Sequence, residues 1–209
     1  MKIIIKNARL SFNDLWESKS INGGKPKFTS TLICLDETQL KFANKEGKQV
    51  TVPHGKMQEV CEHVLKEKFG KVNVARVDNW AYNKADGSTT RGEYVNDDGD
   101  YWAGFDAETF YISAGKLEAK CKGGEMTILD QRKEKIEANS GLLFSGCYVN
   151  AVIDVYAYDG DSGKGVTASL EAIQLLKKGE PLGITQIDGA SEFDEEEIEA
   201  DEDDAADMM

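Results

Sequence analysis

Apolar and polar positions alternate along much of this chain, most regularly between residues 147 and 158. Cys147, Val149, Ala151, Ile153, Val155 and Ala157 are small or aliphatic, while Tyr148, Asn150, Val152, Asp154, Tyr156 and Tyr158 are mostly aromatic or polar. Successive side chains of a strand point to opposite faces, so one face belongs to a core and the other presents tyrosines with hydrogen-bonding tips. A partner strand over 166–176 completes a hairpin around the Gly- and Asp-rich stretch 159–165. Residues 2–10 and 27–35 are β-branched runs that predict two further strands, separated by a loop at 22–26.

Helical spacing is confined to two places. Met57, Val60, Cys61, Val64, Leu65 and Phe69 recur every three or four residues, predicting a helix over 55–69 that Gly70 ends. Asp36 is placed as an N-cap, with Gln39 at the capping-box position, for a short helix over 36–44. Beyond these, strands are expected at 74–82, at 101–114 with a bulge at Gly104, and at 126–129. A polar loop spans 83–99 and a Lys-rich segment 116–124. Many short strands with one or two helices predict a mainly β chain, a small closed barrel with helical insertions.

Charge changes this picture at one end only. The 209 residues carry 25 Lys+Arg and 38 Asp+Glu, a net of −13. Residues 188–209 hold 12 acids and no base, leaving 26 acids against 25 bases in 1–187. The expected organisation is therefore a nearly neutral folded domain over 1–187 and a disordered polyanionic tail over 188–209. A nucleic-acid partner is not excluded by the total charge. The longest apolar runs fall far short of a membrane span, and no secretory apolar region follows Lys2, so no membrane partner is expected. Four scattered cysteines, Cys34, Cys61, Cys121 and Cys147, fit thiols in a reducing compartment.

Several enzyme-like patterns fail on their chemistry. Gly160-Asp161-Ser162-Gly163 resembles part of a serine-nucleophile loop, but His54 and His63, the only histidines, both lie around the predicted helix. The same stretch is no calcium loop, because Lys164 and Leu170 stand where glycine and glutamate are required. Cys61 and His63 lack a second ligand pair for zinc. No catalytic residue, metal ligand or cofactor is expected.

An aromatic and basic set remains. Arg76, Asp78, Trp80 and Tyr82 share one side of the predicted 74–82 strand, and Tyr148, Tyr156 and Tyr158 share one side of the 147–158 strand. With Lys84, Arg91, Tyr94, Lys116, Lys120 and Lys122 they supply the rings and cations that a single strand of nucleic acid stacks on and pairs with. Arg132, Lys133 and Lys135 extend the basic set, interleaved with Glu118, Glu125, Asp130 and Glu134.

Three blocks carry a family likeness: Gly146-Cys147-Tyr148-Val149-Asn150-Ala151, Tyr156-Ala157-Tyr158-Asp159, and 165–174, Gly-Val-Thr-Ala-Ser-Leu-Glu-Ala-Ile-Gln. With the opening Lys6-Asn7-Ala8-Arg9-Leu10-Ser11-Phe12 and the stretch from Ile112-Ser113-Ala114 to Ile128-Leu129-Asp130, the chain resembles the DUF2815, or Enc34-type, bacteriophage single-stranded DNA-binding proteins. These are distantly like the single-stranded DNA-binding protein of phage T7. The resemblance implies an OB-fold-like five-stranded barrel and largely sequence-independent binding of single-stranded DNA in phage replication or recombination. It also implies a cytoplasmic location in the infected bacterial host.

It further implies that the acidic tail competes with DNA and recruits phage or host replication and recombination proteins. Its residues are Phe193, Asp194, Glu195, Glu196, Glu197, Asp201, Glu202, Asp203, Asp204 and Asp207. Many relatives end on an aromatic residue, whereas this chain ends Asp207-Met208-Met209. A homodimer is left open. Two other readings stand beside this one: a virion assembly protein built on a β-barrel, and a metal-dependent nuclease using clustered acids.

Overall fold

The computed structural model describes all residues except 21–22, 45, 72, 74–76, 78, 90–91, 161–162 and 184–209. Arg76 and Arg91, and the whole acidic segment from Phe193 to Asp207, therefore lie outside the described residues. Five strands close on one another: β1 (Lys2–Lys19), β2 (Lys27–Cys34), β6 (Phe110–Leu117), β8 (Tyr148–Gly160) and β9 (Gly163–Lys177). β1 pairs antiparallel with β2 and β8, β2 with β6, and β8 with β9. A single parallel pairing of Ala114 with Ala168 joins β6 to β9 and completes the ring. The chain is thus mainly β, with an OB-fold-like ring of five strands.

Inward-facing residues build the core by strict alternation. Cys147, Val149, Ala151, Ile153, Val155 and Ala157 are all buried, while their neighbours on β8 are not. β9 returns Val166, Ala168, Leu170, Ile173 and Leu175 to the same interior, the register with β8 shifting between Tyr148 and Val149 and again between Val152 and Ile153. Gly160 pairs with Gly163, the two described residues of the serine-loop look-alike. The one α-helix among the described residues, α1 (Met57–Phe69), follows a 3-10 turn at His54–Lys56. It buries Met57, Val60, Cys61, Val64 and Leu65 in the same core, and it touches β8 and β9. Gly70, at φ +70°, donates to the Lys66 carbonyl and ends it.

Three expected elements come out differently. Residues 36–44 hold no helix: Gln39–Ala43 is β3, paired with β1 through Ile5 and Leu40, and with β4 (Gln49–Pro53). Thr38 decides this, because its hydroxyl accepts from the Leu35 N–H and donates to the Asn7 carbonyl, closing a turn rather than capping a helix. Among the described residues of the 74–82 segment only Tyr82 begins a strand, β5 (Tyr82–Lys84), and Asn79 makes one bridge to Gly165. The expected 101–114 strand starts at Phe110. Before it, Asp106 accepts from Thr109 and from the Glu108 N–H, folding the preceding residues into turns. β7 (Thr127–Leu129) lies where a short strand was expected and pairs with β9.

Candidate nucleic-acid interface

Outward-facing residues of β2 and β6 carry a second apolar cluster. On β2, Leu32 points inward and Ile33 outward; on β6, Ile112 points inward and Tyr111 outward. Ile33 and Tyr111 pack with Ala85 and Phe105, which the excursion between β5 and β6 folds back over the strands. Tyr94 joins them, its ring 4.6 Å from Tyr111 and 4.8 Å from Phe105. Phe12 then stands edge-on to Tyr94 at 5.7 Å and to Trp102 at 5.3 Å. Phe12 is 40% exposed and Trp102 41%, so the cluster ends in two rings open to solvent.

Backbone geometry explains how Phe12 reaches that position. β1 shifts register between Ser11 and Asp14, and Phe12 takes φ +44°, a left-handed conformation that costs a phenylalanine roughly 1–2 kcal/mol. Strain of this kind persists where the surroundings hold it, and it concentrates at functional positions. The bulge turns the ring out of the core and against Trp102.

Two depressions extend from this pair. One, of about 210 Å³, is lined by Phe12, Trp102, Ser145, Leu182 and Gly183. The next, of about 840 Å³, shares Ser145 and Leu182 and continues to Trp16, Phe144 and Lys178. Asn13 donates to the Ser145 hydroxyl across it at 2.8 Å. Among the described residues lining the two, Lys178 is the only charged one. The strap 178–183 that forms one wall is held by its backbone. Leu182 donates to the Ser145 carbonyl, and the Arg9 guanidinium donates to the Glu180 carbonyl. Behind it the Tyr148 ring lies between the Lys177 ammonium, 4.3 Å from its centroid, and the Arg9 guanidinium at 6.0 Å.

The residues expected to bind do not share one face. Tyr94 belongs to the open aromatic cluster. Trp80 and Tyr82, expected on a wet strand face, are instead 7% and 4% exposed and belong to the core cluster that also holds the buried side chains of α1. Lys84 is clamped by Asp86 at 2.8 Å and Glu108 at 3.2 Å. Hydrogen bonding to Asp86, then to Glu108, raises the Lys84 pKa, and the Lys84 ammonium holds Asp86 down at about 2. Lys116 pairs with Glu171 at 2.5 Å. Lys120 and Lys122 are exposed on two 3-10 turns. Tyr156 is 44% exposed on the outer face of β8, and Tyr158 lies across Gly165.

Phe12, Trp102, Phe105, Trp16 and Phe144 escaped the sequence reading. Only Phe12 carried a signal, its place in the family-like opening segment. In the structure Leu10 and Ser11 are consecutive buried positions, a break in alternation that marks the bulge aiming Phe12. Trp102 was expected inside the 101–114 strand, whereas it lies outside any strand, just before a turn at 103–104.

A family model described as Enterobacter phage Enc34, ssDNA-binding protein, matches residues 1–206. Putative protein p50 of Acyrthosiphon pisum secondary endosymbiont phage 1 is 29% identical over 197 residues, spanning 93% of this chain and 94% of that protein. Among solved structures, the single-stranded DNA-binding protein from bacteriophage Enc34 in complex with ssDNA is 19% identical with a TM-score of 0.56. The match covers 87% of this chain and 89% of that one, a likeness of fold. The single-stranded DNA-binding protein of bacteriophage T7 is 12% identical with a TM-score of 0.48, covering 96% and 98%.

Proposed function

The chain belongs to the family of the Enterobacter phage Enc34 ssDNA-binding protein, and from that premise we propose that it binds single-stranded DNA without catalysis. The observation that carries this is the exposed Phe12–Trp102 pair on the ring's outer face, continuous with a groove whose one charged lining residue among those described is Lys178. Unpaired bases stack on the rings, each contributing about 1–3 kcal/mol, and lysines neutralise phosphates, so affinity falls as salt rises. Stacking accepts every base, and sequence preference is slight. The setting is phage DNA replication or recombination in the cytoplasm of an infected bacterium.

The acidic C-terminal segment, on this reading, competes with DNA for that face and recruits replication proteins. Gly183, after which the chain leaves the described residues, lines the same depression as Phe12 and Trp102. A segment of 22 residues reaches at most about 70 Å, far enough to follow the groove from that point. Truncation after Ile187 is expected to tighten binding to single-stranded DNA, most strongly at low salt. Equal affinity of the two forms across a salt titration overturns the competition. A gel shift with single-stranded and duplex oligonucleotides, with and without magnesium, tests the binding itself. Magnesium-dependent degradation, or no shift at any salt, would contradict it.

A further inference from the structure

A separate cavity of about 590 Å³ opens on the other side of the β5–β6 pleat. Phe110 and Tyr111 are consecutive on β6, so one faces this cavity while the other joins the open aromatic cluster. Tyr82 and Phe110 form its wall as a parallel pair, their centroids 5.2 Å apart and their planes 9° from parallel. His54 stands 6.0 Å from Phe110, and its Nδ1 lies 2.9 Å from the Tyr82 hydroxyl, which fixes the imidazole beside the stack. Trp80 adds a third ring, and Gln58, Ser88 and Thr89 supply amide and hydroxyl groups. Burial lowers the His54 pKa from its usual 6.5, with Asp36 pulling weakly the other way. No carboxylate, lysine or arginine lines the cavity among the described residues. Its chemistry suits a flat, neutral, hydrogen-bonding occupant rather than a phosphate or a charged peptide.

We propose that this cavity receives one unstacked nucleobase of the bound single strand, its ring extending the Tyr82–Phe110 stack and its edge meeting the polar groups of Gln58, Ser88 or Thr89. The inference rests on the single-stranded DNA binding proposed above and adds a subsite to it. Strand passage over the Tyr111 side brings a nucleotide to the end of β6, where one base turns around the strand end into the cavity. An aromatic wall with a polar rim is how single-stranded bases are held and read by their edges.

Gly55 offers a clean test. It lines the cavity, its φ is outside the left-handed range, and a Cβ there meets nothing within 4 Å. Gly55→Trp places an indole at the cavity wall with no clash at its Cβ, and Ser88→Trp places one from the exposed opposite rim. Melting curves and circular dichroism select the folded variant. Affinity for an oligothymidylate, read by fluorescence anisotropy, is expected to fall about tenfold in either plugged variant. The His54 ring resonances are expected to shift when the oligonucleotide binds the unmodified protein. Plugged, folded protein that binds within twofold of the unmodified chain overturns the pocket and leaves DNA binding standing. Lost affinity without any His54 shift in the unmodified protein also overturns it. An unmodified protein that fails to bind the oligonucleotide overturns both.

Discussion

Two outer faces of the same ring present aromatic side chains, and they differ in what lies over them. On the β2–β6 side, the excursion between β5 and β6 and the bulge at Phe12 gather five rings within 4.6–6.3 Å contacts. On the β8 side, Tyr148 and Tyr156 are eight residues apart, about 26 Å along the strand, with Asn150 and Asp154 between them. Tyr148 is taken up by Arg9 and Lys177, and Asp154 by the N-terminal ammonium. Strand alternation assigns each side chain to a face. Only the loops laid across that face decide whether its rings act together.

The largest expected effect breaks the β2–β6 side. Phe12→Ala combined with Trp102→Ala should weaken single-stranded DNA binding by about 2 kcal/mol or more, roughly thirtyfold, with the melting temperature nearly unchanged. Anisotropy at fixed salt checks the first part and calorimetry the second. Next is the wall of the groove. Gly146 sits at φ +116° with the Glu180 carbonyl against the position of a Cβ, so Gly146→Ala should displace the 178–183 strap. The cost is about 1–3 kcal/mol, read in the melt, with affinity falling alongside it.

Smaller effects sharpen the other side. Tyr156→Ala removes an isolated exposed ring and should change affinity by less than about 1 kcal/mol, so a loss matching that of Trp102→Ala would erase the distinction between the faces. The smallest effect concerns the seam where β6 meets β9 through one residue pair. The Lys116 hydrogen bond lowers the Glu171 pKa from its usual 4.5. A lowered carboxylate contributes stability above the unfolded pKa and loses it as pH falls through the folded value. The pair is partly exposed, so it is worth less than about 1 kcal/mol. Glu171→Gln should lower the melting temperature slightly at pH 7 and not at pH 3.

Much of the ring was legible where its strands alternate without interruption. The inner residues of β8 follow that alternation without exception, and the tyrosines do lie on its outer side. The helix at Met57–Phe69 was equally clear from its spacing. What stayed hidden depends on contacts between distant segments. β3 exists because Leu40 finds Ile5, and local capping signals at Asp36 and Gln39 do not report that pairing. Trp80 and Tyr82 alternate like surface residues, yet α1 and β6 close over them, and Tyr82 stacks on Phe110. Phe12 stood in the family-like opening segment, but its role depends on a bulge and on Trp102, ninety residues away.

Photo-crosslinking tests the central claim most directly. An oligonucleotide carrying 5-iodouracil, bound to the full chain and irradiated, marks the aromatic residues its bases touch. The account predicts adducts on peptides containing Phe12, Tyr94 and Trp102. Adducts confined to Tyr148, Tyr156 and Tyr158 would contradict it.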